Sequence, residues 1–100
     1  MPIPKRWSKF NWKRLDDVPN VYGVYELADG HGLTIYFGSG HLRDRLKHWK
    51  RSENPCIAQA AKFRCEEYKS RTRSRQRKRA LLREFIKMNK KLPRCNTRLD

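Results

Sequence analysis

Residues 21–38 read Val21-Tyr22-Gly23-Val24-Tyr25-Glu26-Leu27-Ala28-Asp29-Gly30-His31-Gly32-Leu33-Thr34-Ile35-Tyr36-Phe37-Gly38, and they decide the fold. Val21 to Leu27 and Leu33 to Gly38 are rich in β-branched and aromatic residues, the composition of strands. Between them, Asp29-Gly30-His31-Gly32 is a turn. Asp bonds to backbone two residues on, and Gly reaches positive φ without a steric penalty. The stretch therefore reads as an antiparallel hairpin. With residues 29–32 as the loop, Ala28 stands opposite Leu33, Tyr25 opposite Tyr36 and Gly23 opposite Gly38. Two phenols then share one face with their Cβ atoms about 4.5–5.5 Å apart. Glycines within strands mark close approaches by a ligand or by backbone. A tyrosine pair that merely stabilises the hairpin is the alternative. Val24, Ile35 and Phe37 fall on the other face and are core material.

Beyond Ser39-Gly40 the period changes. Leu42, Leu46 and Trp49 recur at i, i+4 and i+7, the stripe of an amphipathic helix. Arg45 lies one turn before Trp49, and Arg43 points about 160° away from it. Asn54-Pro55 breaks the pattern, Cys56 to Lys62 suggests a short second helix, and Phe63 to Tyr68 suggests a third strand. A long helix follows from about Thr72, with Leu81, Leu82, Phe85, Ile86 and Met88 apolar and Glu84 at their border. Pro93 terminates it. The expected architecture is α+β in the order ββααβα, a small three-stranded antiparallel sheet flanked by helices. Residues 1–17 read as a basic, aromatic lead-in to a single domain over 18–100. In that lead-in, Trp7, Phe10 and Trp12 would either stack on bases or pack as extra core.

Charge narrows the partner. The 100 residues carry 25 Lys+Arg against 10 Asp+Glu, a net +15. The densest block, KSRTRSRQRKR over residues 69–79, holds Lys69, Arg71, Arg73, Arg75, Arg77, Lys78 and Arg79 and no acid. Cations for phosphates and rings for bases point to nucleic acid, DNA foremost with RNA possible. No apolar run suits a membrane span, and no signal peptide follows the basic start. Cys56, Cys65 and Cys95 are odd in number and widely spaced, so free thiols in a reducing, intracellular setting (cytoplasm or nucleoid) are expected.

Four pieces stand in order: Gly23-Val24-Tyr25, Tyr36-Phe37-Gly38, Arg45 within Leu42-Arg43-Asp44-Arg45-Leu46, and Glu84 with Pro93 and Asn96 behind it. This set resembles the GIY-YIG nuclease family, including the catalytic domain of the bacterial excinuclease and the GIY-YIG homing endonucleases, over roughly residues 15–98. The resemblance implies a metal-dependent endonuclease acting on DNA phosphodiester bonds. In it, Glu84 would be the protein ligand of one Mg²⁺ or Mn²⁺, an ion that keeps several waters. Arg45 would stabilise charge on the phosphoryl oxygens. Tyr25 and Tyr36 would position and deprotonate water, with Tyr25 the first choice as base, although a phenol near pKa 10 needs a cation's help. Gly23 and Gly38 would give backbone access, Asn96 would brace the site, and His48 would be an auxiliary proton carrier or a surface residue. The chain departs from the family in having one residue fewer between Gly38 and the arginine. The competing reading is a non-catalytic nucleic-acid-binding protein on the same fold.

Overall fold

The structure is a computed structural model that describes residues 2–98. It is an α+β domain: β1 (Ser8–Lys9), α1 (Trp12–Asp16), β2 (Tyr22–Ala28), β3 (Thr34–His41), α2 (Leu42–Arg51), a 3₁₀ turn (Ile57–Gln59), β4 (Lys62–Glu67) and α3 (Arg71–Asn89). The sheet is antiparallel in the order β1-β4-β2-β3. It therefore has four strands where three were expected. The extra one is a two-residue edge strand supplied by the lead-in, pairing Ser8 with Phe63 and Lys9 with Lys62. The expected second helix is reduced to the 3₁₀ turn, whose entry is held by the Asn54 side chain accepting from Cys56 and Ile57 N–H.

The hairpin register corrects the sequence reading by two residues. Asp29 N–H donates to Leu33 O, which closes a loop one residue shorter than expected. Ile35 then bulges, since Leu27 pairs with Tyr36 but Ala28 with Thr34. Each event alone would flip the faces. Together they restore parity. Tyr25 stands opposite Gly38, Gly23 opposite Gly40 and Leu27 opposite Tyr36, so the two phenols are diagonal neighbours on one face rather than directly opposed. The bulge also moves Ile35 off the Val24–Phe37 face and into the opposite core.

Both faces of the sheet are covered. On one, Tyr25, Leu27 and Ile35 pack against Leu42 and Leu46 of α2, with Phe10, Leu15 and Phe63. On the other, Val24 and Phe37 pack against Leu81 and Leu82 of α3, with Ile3. The lead-in is thus part of the core: Ile3, Phe10 and Leu15 are buried. Its aromatic patch is split, with Phe10 edge-on to Phe63, Trp7 beneath the Arg64 guanidinium and Trp12 beneath that of Arg51. Met88 departs from the expected stripe and is exposed. The same Arg64 donates Nε–H to Glu26 Oε1 at 2.6 Å, so the buried carboxylate within β2 is paired.

The expectation of three free thiols is corrected: Cys56 and Cys95 form a disulfide and only Cys65 is free. After α3 the chain crosses the β3 edge, where Cys95 N–H donates to Ile35 O, and this brings two cysteines 39 residues apart together. No helix among the described residues is long and apolar enough to cross a membrane.

Candidate functional site

Gly38 places the first phenol. A Cβ there would stand inside the Tyr25 ring, so the bare backbone of β3 is the bed on which that ring lies. The space expected for an approaching phosphate is filled by the phenol itself. Trp49, one turn from Arg45 on α2, donates Nε1–H to Tyr25 Oη at 2.6 Å. Tyr36 sits beside both, its centroid 6.2 Å from the Tyr25 ring and 5.2 Å from Trp49. Arg45 leans back so that its guanidinium carbon is 5.7 Å from the Trp49 ring centroid. Its stem runs against Gly40, whose φ of 137° suits glycine and whose missing side chain leaves that path open.

Burial drives the Tyr25 phenol far above its ordinary value, and the neighbouring Tyr36 adds to the rise against weaker opposition from Trp49 and Arg45. Burial also raises Tyr36, but there the Arg45 charge and a hydrogen bond from Tyr25 pull back. Tyr25 is therefore locked and protonated, while Tyr36 is the half-buried hydroxyl next to the guanidinium. If either phenol gives up a proton, the geometry favours Tyr36, the reverse of the sequence preference.

These raised values carry a sign. Below about pH 10 both states hold the proton and the full stability is present. Above it the unfolded chain releases protons that the folded chain retains, so stability falls as pH rises. Urea midpoints between about pH 9 and 11 are expected to drop in the native chain and to drop less in Tyr25→Phe. Equal slopes would refute the burial argument.

Around these rings lies a cleft of ≈ 680 Å³. Tyr25, Tyr36 and Gly38 form its floor, and Arg45 of α2 one side. Arg71, Arg75 and Lys78 of α3 form the facing side, with Tyr22 and His41 at one end. Asp44 is the one carboxylate among the described residues that line it. An adjoining cavity of ≈ 490 Å³ shares Tyr36, Arg75 and Lys78 and is bounded by Trp49 and Asn96. Asn96 braces the strand as expected: its Oδ1 accepts from Phe37 N–H at 2.9 Å and its Nδ2 donates to Phe37 O at 3.0 Å.

Other expected members stand elsewhere. Glu84 lines neither cavity. It lies about 120° from Lys78 and about 180° from Arg75 around α3, on the flank where its charge acts on Arg77. No group of three or more metal-ligating side chains occurs among the described residues. His48 is exposed and rests its ring against Trp49. Gly23 packs under Leu42 and the Glu66 carbonyl. Of the basic block, Arg77 is tied to Glu66 at 2.9 Å, Arg73 is exposed, and Arg79 borders a shallow hollow beside Arg75. The sequence reading missed Trp49 as the partner of Tyr25, and Tyr22 and His41 as cleft walls. The signal for the last two was an aromatic at each end of the paired strands, Tyr22↔His41.

Fold and site together define a small α+β domain with a tyrosine-floored cationic cleft at the β3 edge. The chain belongs to the family described as a domain of unknown function, DUF7508, whose family model matches residues 1–87. That span includes every residue named above as lining the main cleft but stops short of Cys95 and Asn96. No curated protein matches the chain.

Proposed function

We propose that this chain binds the sugar–phosphate backbone of nucleic acid, DNA foremost, in the cleft between α2 and α3. One observation carries the reading: Arg45 of α2 and Arg71, Arg75 and Lys78 of α3 line one cleft together with Tyr25 and Tyr36, and Asp44 is the single carboxylate among its lining residues. Arg71 and Arg73 also crowd the first turn of α3, which holds no acid. Cations at that positive helix end are unfavourable in isolation, and a bound phosphate would relieve them together with the net +15.

A GIY-YIG-type endonuclease is the second reading, favoured by the meeting of Tyr25, Tyr36 and Arg45. There Arg45 would hold the phosphoryl oxygens and Tyr36 would orient or deprotonate water. Binding leads because the cleft offers no carboxylate from α3.

Fluorescence anisotropy on a short DNA duplex tests the first reading. About four phosphate contacts give a log K against log salt slope of about −3 to −4, and Arg75→Ala/Lys78→Ala is expected to lower its magnitude by about two. Plasmid incubated with Mg²⁺, Mn²⁺ or chelator is expected to be retarded and left intact. Metal-dependent nicking that disappears in Tyr36→Phe and Arg45→Ala would establish the endonuclease instead. Nicking lost in Glu84→Gln would restore that residue as the metal ligand. Absence of retardation at low salt would remove both readings.

A further inference from the structure

Behind the end wall of the cleft lies a second cavity of ≈ 580 Å³, lined by Val21, Tyr22, His41, Glu67, Tyr68 and Lys69. We propose that it receives one unpaired nucleobase from a strand whose phosphate occupies the cationic cleft, so that the domain prefers single-stranded nucleic acid. The inference rests on the phosphate-binding reading of the cleft.

Continuity is the first support. Tyr22 and His41 line both cavities, so a basic, phosphate-suited space adjoins an aromatic one at this ring pair. A nucleotide has that same division, an anionic phosphate on one side and a flat π-surface on the other. The wall is itself aromatic, the Tyr22 and His41 rings being 4.3 Å apart by centroid and 30° from parallel. A base laid on it would extend an existing stack.

Rigidity is the second. Tyr68 faces this space with its hydroxyl donating to Glu66 Oε1 at 3.1 Å and its backbone N–H to Tyr22 O at 2.7 Å. Leu42 N–H donates to Val21 O at 2.9 Å. The walls are thus tied together through backbone, and little ordering remains for a ligand to induce. Val21 is an exposed apolar residue at the rim. Glu67 and Lys69 also line the cavity and offer a base edge an acceptor and a donor. Lys69 is the member of the basic block that turns to this cavity rather than to the cleft. A paired base reaches such a pocket only after leaving its stack, at an energetic cost that a single strand largely avoids.

Three probes of about a dozen units separate the possibilities by fluorescence anisotropy: a single strand, the same strand with abasic sites throughout, and a blunt duplex. The intact single strand is expected to bind about tenfold tighter than either of the others, the scale of one base stacked on an aromatic ring. Tyr22→Ala is expected to bring the intact strand down to the affinity of the abasic one. His41→Ala is expected to do most of the same, and it is the safer variant because the His41 side chain makes no capping bond to α2. Equal binding of intact and abasic strands, or duplex binding as tight as single-strand binding, would overturn the proposal while leaving the cleft reading intact. If the abasic strand binds with no salt dependence, the cleft reading fails, and this one with it.

Discussion

Reduction of the Cys56–Cys95 bridge is expected to lower the stability of the domain by about 4 kcal/mol. The two cysteines are 39 residues apart. A loop of that length, closed covalently, removes about 13 cal/mol/K from the unfolded chain on the chain-entropy account, or about 4 kcal/mol at room temperature. Small domains hold about 5–15 kcal/mol in all, so the loss is a large share. Without the bridge, the segment after α3 is held to β3 by Cys95 N–H on Ile35 O and by the two Asn96 bonds to Phe37. These are worth about 0.5–1.5 kcal/mol each. Urea unfolding with and without dithiothreitol checks the value, and Cys95→Ser should match the reduced native chain. A difference below about 1 kcal/mol would mean that the bridge adds nothing the hydrogen bonds do not already secure.

That bridge also shows where sequence reasoning stops. Spacing alone could not pair Cys56 with Cys95, because their meeting depends on a crossing at the β3 edge that no local pattern encodes. Local patterns did reach far. The β-branched runs around Asp29-Gly30-His31-Gly32 located the hairpin, and Leu42, Leu46 and Trp49 located the buried stripe of α2. The shared face of Tyr25 and Tyr36 survived a wrong register because a shorter loop and a bulge at Ile35 offset each other. Glu84 was a different kind of problem. Leu81, Leu82, Phe85, Ile86 and Met88 fall within about 160° of the helix circumference, and Glu84 lies about 40° beyond the Met88 edge, so the sequence alone left open whether that border would meet the sheet or turn aside. Packing on Val24 and Phe37 chose the side that turns Arg71, Arg75 and Lys78 to the cleft and Glu84 away from it. The acid and the phenols fit one spacing in the chain, yet the phenols line the cleft and Glu84 is not among the residues that do. Phe10 and Leu15 likewise look like lead-in residues until the short β1 strand, paired with β4, draws them under the sheet.

Gly38→Ala is expected to cost about 3 kcal/mol, at the upper end of what overpacking usually takes. The reason is steric rather than conformational. Gly38 is not at positive φ, so alanine meets no backbone objection and would even gain about 0.5–1 kcal/mol over glycine in a strand. The added methyl, however, would occupy the place of the Tyr25 ring. That ring cannot step aside cheaply: it is 1% exposed, packed in the α2-side core and anchored by the Trp49 indole. Displacing it strands the Trp49 N–H without its acceptor, a penalty of about 1–3 kcal/mol for a buried donor. Chemical denaturation measures the loss directly. Tyr25→Ala is expected to cost less in this background than in the native chain, because the ring it removes is the one the new methyl displaces, and the double-mutant cycle should show coupling of about 1–3 kcal/mol. A stable Gly38→Ala protein with an unchanged urea midpoint would mean that the Tyr25 ring does not lie on β3. The tyrosine floor of the cleft, and the ranking of Tyr36 over Tyr25 as the more readily ionised phenol, would then have to be rebuilt.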